Sequence, residues 1–401
     1  MLASAGFSPS SDHVLNDSFF MNDWRRKVRA PTPYRVGGTA IQINPRTMTY
    51  FGIGVLLFLS AFVLFLPASE KHQPPDPRET MFPAYNATYP LSAPQATTDG
   101  LRYNIAVVAD LDTDSKSHTK PNMWFSYLKK GYLTFDSSKS KVTVAWDSSV
   151  ITLESKVSQG GRGMELSELT AFNGKLYSCD DRTGIIYEIT TDGTVLPWVI
   201  LQDGNGHVAK GFKCEWMAVK DNTLWVGGLG KEWTTTLGVV QNLNPQWVKS
   251  IGHHGDVLHH SWVEKYNALR TKGGFELPGY MIHESGLWSA IHKQWFFLPR
   301  RASKETYTEK DDEHRATNIL FRADEDFKHI TMSRVGSFNP THGFSSFKFI
   351  PGTQDQFIVA LKSEEDKGKI ASYIMVFSIS GDVLLPEIKI GDVKFEGIEF
   401  I

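Results

Sequence analysis

Five short stretches of this sequence share a pattern that could do chemistry: MELSELTAF, KCEWMAVKD, IHESGLWSA, GFSSFKFIP and KFEGIEFI. Each sets a Glu or Ser at the start of an apolar run, at Glu168 (with Ser167), Glu215, Glu284, Ser345 and Glu396. Every donor at the repeated position is a hard oxygen; none is His or Cys. Brought together, such carboxylates repel one another and either hold protons or demand a cation. An oxygen-only, multi-carboxylate set suits Ca²⁺ or Mg²⁺ rather than Zn²⁺, and a roomy site built from five segments favours Ca²⁺. A second register follows the first. Arg182, Lys231, Arg300 and Lys362 come 14, 16, 16 and 17 positions after Glu168, Glu215, Glu284 and Ser345. Arg162 and Arg301 stand close enough in sequence to join them. A metal collared by Arg and Lys is what a polyphosphate needs, since cations neutralise the charge that develops in phosphoryl transfer. Asp110 and Asp112, at the end of an apolar run, are candidates for a base acting on water.

Those residues need elements that aim them at one place. Four of the five stretches are followed by a short turn and a second strand-like run: NGKLYS, DNTLWVG, HKQWFFL and TQDQFIVAL. The gaps between ring positions are 47, 69, 61 and 51 residues, each enough for one four-stranded unit. Five such units predict an all-β, five-bladed β-propeller with the repeated residue at the mouth of the axial channel. The fifth unit has one strand only, so YNIAVVADLD and KVTVAWD are expected to complete it and close the ring. From about Leu101 onward no long amphipathic helix is expected.

Composition agrees with this class. Aromatics make up 12% of the 401 residues, with 11 Trp, which suits strands. The 42 basic and 44 acidic residues leave a net charge of −2, so nucleic acid is not an expected partner. Cys179 and Cys214 are the only cysteines, too few for a disulfide scaffold. They read as small buried hydrophobes, with a single bridge left open.

The first hundred residues read differently. Thr47–Ser69 carries no charge and is long enough for one helical crossing, which needs roughly 20 residues. Arg25, Arg26, Lys27, Arg29, Arg35 and Arg46 precede it, which puts the N-terminal side in the cytosol. The expected order is a cytoplasmic tail at 1–46, a transmembrane signal anchor at 47–68, a proline-rich lumenal stalk at 69–98 and the propeller at 99–401. Asn86 opens a glycosylation sequon on the lumenal side, and cleavage in the stalk would shed a soluble form.

Other motifs carry less. DLDTDS has Ser115 and Pro121 where an EF-hand loop needs Gly and Glu. GGLGK, Gly227–Lys231, lacks the spacing of a P-loop, and its glycines read as a backbone turn beside a ligand. HHGDVLHHSW, His253–Trp262, reads as a surface insertion without zinc-ligand spacing. KDDEHR, Lys310–Arg315, reads as a solvated charged loop.

The motifs ADLDTDS, WFSYLKKGYLT, GRGMELSEL, DDRTG, GGLGKEWTTT, WFFLPRRAS, THGFSSFKFIP, ALKSEE and EGIEFI resemble the calcium-activated nucleotidases of the apyrase family, over about Tyr89–Ile401. The resemblance implies a propeller with a central Ca²⁺ held at Ser167, Glu168, Glu215, Glu284, Ser345 and Glu396. It implies hydrolysis of nucleoside di- and triphosphates, UDP, GDP, UTP and GTP before ADP and ATP. It also implies residence in the Golgi or endoplasmic reticulum, where the activity supports glycosylation and proteoglycan synthesis, as a monomer or homodimer. Two rival readings of such a ring are a propeller glycosidase, which would work in chelator, and a lumenal propeller that binds nucleotide without cleaving it.

Overall fold

The computed structural model describes residues 33–36, 39–42, 45–65 and 83–401, apart from residue 139. The chain divides into two units, 1–81 and 82–401. In the first, strands Pro33–Val36 and Thr39–Gln42 pair as a hairpin, followed by a helix over Pro45–Phe65. This helix covers most of the expected crossing, and its described apolar side chains, among them Phe51, Leu56, Leu57 and Phe58, are exposed. Side chains in it are described only as far as Ser60, and among the described residues no helix is long and apolar enough to cross a membrane. The expected tail before residue 33 and the first part of the stalk, residues 69–82, lie outside the described residues.

In the second unit, successive strands of alternating or wholly apolar pattern fold back on one another as antiparallel sheets. The first blade is Leu166–Phe172, Lys175–Asp180, Ile185–Ile189 and Val195–Ile200. The second is Trp216–Lys220, Thr223–Gly227, Trp247–Ile251 and Val257–Ser261. The third is Gly286–Ser289, Gln294–Phe297, Ile319–Asp324 and Ile330–Arg334. The fourth is His342–Phe349, Phe357–Asp366, Lys369–Ser378 and Val383–Gly391. In the closing blade the last strand, Phe395–Phe400, lies inside Gly100–Ala109, Trp124–Asp136 and Lys141–Ser155. The five innermost strands pack on one another around the axis. Apolar side chains from facing sheets fill the spaces between blades, as where Trp216 meets Trp262, Trp295 and Phe297.

Three innermost strands carry a β-bulge at the repeated position. The register runs Leu166↔Asp180 then Glu168↔Cys179, Phe344↔Lys362 then Ser346↔Leu361, and Phe395↔Ala109 then Gly397↔Val108. The residue left without a cross-strand partner is Ser167, Ser345 or Glu396. A bulge re-aims one side chain without breaking the sheet. In the second blade Glu215 stands directly before the first paired residue, Trp216, and in the third Glu284 stands two positions before Gly286.

Four expectations need correcting. Residues 83–98, expected in the stalk, pack on the propeller: Gln95–Thr97 pairs with Gly100–Ala109, and the Tyr89 hydroxyl donates to Glu399 Oε1 at 3.1 Å. The His253–Trp262 stretch is no surface insertion, because Val257–Ser261 is the outermost strand of the second blade, where half-exposed polar side chains are tolerated. An 11-residue helix, Val263–Gly273, follows it and buries Tyr266, Leu269 and Arg270. Its apolar face is too narrow to stand out by periodicity. Gly227 does not approach a ligand, since a Cβ there would meet the Trp216 ring at 2.0 Å. The turn belongs to Gly230, at φ +69°, which presents Lys231 to the cavity.

Candidate active site

A cavity of about 420 Å³ opens at the end of the channel where the bulges lie. Glu215, Glu284 and Glu396 line it, and all are buried or nearly so. Arg300 stands between carboxylates: one guanidinium nitrogen bonds Glu284 and lies 2.6 Å from Glu396 Oε1, and the other bonds Glu365. Lys213 bonds Asp181, and its Nζ is 2.8 Å from Glu215 Oε1. That oxygen is buried yet not aligned for a hydrogen bond. Burial pushes the Glu215 carboxyl up to about 8 against the pull of Lys213, with Glu284 and Asp181 adding to the rise. Burial likewise raises Glu284, and it raises Glu396 well above the usual carboxylate range.

Glu168 sits in a different layer. Its Oε1 accepts from the Ser346 hydroxyl at 2.7 Å and the Leu169 N–H at 2.9 Å, and lies 3.1 Å from Lys348 Nζ. Burial brings it to about 7 despite Lys348. It does not line the cavity, and neither do Ser167 and Ser345. For Glu168 the register explains this: Ser167, not Glu168, is the bulged counterpart of Ser345 and Glu396. The Ser167 hydroxyl is buried without a partner, and that of Ser345 donates to the Phe395 carbonyl at 3.3 Å.

Of the expected cations, Arg162, Arg182, Lys231, Arg300 and Arg301 line the cavity. Lys362 does not. Its ammonium is bound by Glu387 on the outermost strand of the fourth blade and lies over the Phe344 ring. Lys362 is still paired within the ladder, opposite Phe344, whereas Arg182 stands past the last pair of its hairpin. Lys231 donates to Thr234 Oγ1 at 2.8 Å and stacks over Tyr307, and burial pulls its ammonium down to about 8.

Asp110 and Asp112 both reach the cavity and share Lys394, at 2.8 and 2.5 Å. They differ in setting. Asp110 is buried, and although burial raises its pKa, Lys394 holds it below the usual range. Asp112 is half-exposed, and burial together with the Asp110 charge raises its pKa. Asp112 has φ +47°, and its N–H is held by Asp110 Oδ1 at 2.8 Å. A non-glycine residue at positive φ is uncommon and collects at functional sites. Asp110, Glu165 and Asp181 lie together, each buried, with carboxylate oxygens within 4.8 Å of one another. Arg162 binds Glu165 from above at 2.7 and 2.5 Å, and burial lifts Glu165 to about 7.

Lys213, Lys394, Asp181, Glu365 and Asp312 also line the cavity and were missed by the repeat. For the two lysines a signal was present. Each stands two residues before a ring glutamate, and alternation along an extended chain gives both the same face. Asp312 comes from the KDDEHR stretch, which is no solvated loop: Glu309–Asp312 is a helical turn whose Asp312 accepts from Tyr280 at 2.5 Å. At one end of the cavity Leu229, Trp233, Ile282 and Tyr307 form an apolar and aromatic wall.

Comparison with known proteins bears on this site. The family model described as Apyrase matches residues 111–401. A soluble calcium-activated nucleotidase 1 of Rattus norvegicus is 61% identical over 325 residues, 81% of this chain and 80% of the relative. That of Mus musculus is 62% identical over 318 residues, 79% of this chain and 78% of the relative. An apyrase, apy-1, of Caenorhabditis elegans is 50% identical over 307 residues, 75% of this chain and 85% of the relative.

Proposed function

This chain belongs to the apyrase family, and from that premise we propose that its axial cavity hydrolyses the terminal phosphoanhydride of nucleoside di- and triphosphates. It is a calcium-activated nucleotidase, a hydrolase whose cofactor is Ca²⁺. The residues present fit that ion. Three glutamates converge with only oxygen donors, Glu215 Oε1 and the Ser167 hydroxyl are buried without hydrogen bonds, and burial holds Glu215 and Glu396 above the usual carboxylate range in spite of Lys213, Lys394 and Arg300. Glu215, Glu284 and Glu396 would hold it from the cavity wall, and Ser167, Glu168 and Ser345, which do not line the cavity, would complete the set from the adjoining layer. Bound there, Ca²⁺ supplies Lewis-acid neutralisation of phosphate oxygens.

The remaining chemistry belongs to the chain. Arg162, Arg182, Lys231, Arg300 and Arg301 bind the phosphates and stabilise the charge that develops on them. Asp112 takes the proton of a water that attacks the terminal phosphorus directly, with no covalent enzyme intermediate. Its raised pKa suits a base better than the depressed one of Asp110. Lys394 orients both carboxylates. The wall of Leu229, Trp233, Ile282 and Tyr307 offers a face on which a nucleobase stacks. Lys362 has no part at this site.

The reading extends to UDP, GDP, UTP and GTP as preferred substrates over ADP and ATP. It extends to a type II membrane anchor with the propeller in the Golgi or endoplasmic reticulum lumen, in support of glycosylation and proteoglycan synthesis. Exposed Asn86 would carry a glycan there, a cut near the anchor would release a secreted form, and the enzyme works as a monomer or homodimer. The observation that carries the proposal is the convergence of Glu215, Glu284 and Glu396 with seven cationic side chains in one cavity. Phosphate release from UDP, measured with calcium and then with excess chelator, tests it. Release in calcium alone supports it; equal release in chelator, or tight binding without release, contradicts it.

A further inference from the structure

The only two cysteines of the chain meet across the junction of the first and second blades. Cys179 lies in the second strand of the first blade as the cross-strand partner of Glu168, and Cys214 directly precedes Glu215. Both are fully buried in one apolar cluster with Ile186, Phe212 and Met217. The structure holds both as free thiols, close enough to hydrogen-bond to each other. One thiol comes from a strand of the first blade and the other from the segment that leads into the second, and because they face each other they avoid the misfit that most often rules a bridge out, side chains pointing apart. The segment between them carries the two outer strands of the first blade.

We propose that Cys179 and Cys214 are a disulfide site that staples the first blade to the second behind the axial carboxylates. The oxidant is a disulfide donor, either oxidised glutathione or a dithiol oxidase. One cysteine thiolate attacks a donor sulfur and expels one donor thiolate. The second cysteine thiolate then attacks the mixed disulfide and expels the other. Two protons leave the cysteines, and two electrons end on the donor, which becomes two thiols. Both side chains are fully buried, so in the closed propeller neither thiol is within reach of a donor. The bond therefore forms while the two blades are still apart, during folding. Once formed, it shortens the loops open to the unfolded chain.

The test uses full-length protein, denatured and reduced, then refolded in a buffer of reduced and oxidised glutathione. It is alkylated in denaturant without reductant, weighed intact and digested. The expected result is no alkylation, a mass lower by two hydrogens and a single peptide joining the segments around Cys179 and Cys214. The bridged protein should melt several degrees above the same protein after reduction, and Cys214→Ala should lose that difference. Two alkylated thiols, a glutathione adduct, a bond between chains or equal melting of the bridged and reduced forms would overturn the proposal. The mass of the unsubstituted protein decides even if Cys214→Ala does not fold.

Discussion

At the scale of single residues, the site is a set of charges arranged so that none is left alone until substrate or metal displaces a partner. Arg300 bound to Glu284 and Glu396, and Lys394 between Asp110 and Asp112, are the clearest cases. Asp112→Asn keeps the shape and removes the base. It should lower kcat by about 10²–10⁴-fold with calcium affinity unchanged, measured by phosphate release beside calcium titration. An equal loss of calcium binding would make Asp112 part of the metal site instead. Lys362→Met should leave turnover within about twofold, because its partner is Glu387 outside the cavity, although a buried charge pair is broken and thermal stability should fall. Glu215, Glu284 and Glu396 were legible from the repeat, Arg182, Lys231 and Arg300 from the similar offsets that follow it, and Arg162 and Arg301 from their nearness in sequence. Lys362 was misread because spacing fixes the end of a blade, not the side of the strand. Asp312 was out of reach because it arrives from a helical turn between blades.

At the scale of elements, the bulge is the device that matters. It frees Ser167, Ser345 and Glu396 from the ladder at one height on three strands. Just past the last of these, a Cβ on Gly397 would meet the backbone of Glu168 and Leu169 at 2.5–2.8 Å. The closing strand thus presses its backbone against that of the first blade. Gly397→Ala should destabilise the fold by about 1–3 kcal/mol, as overpacking does. It should also weaken calcium activation, since Glu396 is adjacent; unchanged melting and unchanged calcium dependence would show that the contact does not hold the ring together. The strands were legible from alternation and turns, but a bulge has no composition of its own. Its only trace was Ser167 beside Glu168, which leaves open which of the two occupies the repeated position.

At the scale of the whole molecule, five sheets with no exposed inner edge bury several carboxylates that a smaller fold could not keep dry. Glu165 and Glu168 titrate at about 7 and Glu215 at about 8, burial being the first cause in each. An unfolded glutamate titrates near ~4.3. Between those values the calcium-free folded chain holds more protons than the unfolded one, so its stability falls as pH rises from about 4.5 to about 8. Calcium compensates the charge, and the fall should shrink. Melting temperatures at pH 5 and pH 8, with calcium and with chelator, would show it; an equal slope in both would mean that these carboxylates do not share the ion. The five-unit ring and its closure were legible from repeat spacing. The helix Val263–Gly273 was not, because its burial is set by the neighbouring blades rather than by its own pattern. The central claim is that the axial carboxylates are what make the nucleotidase calcium-dependent. It is tested most directly by the calcium dependence of UDP hydrolysis in Glu215→Ala, a variant that removes one ring oxygen pair and leaves Asp112 and the cations in place. The account predicts that calcium activation is lost or shifted to far higher calcium in a protein that still folds. Full activity at the original calcium concentration would contradict it.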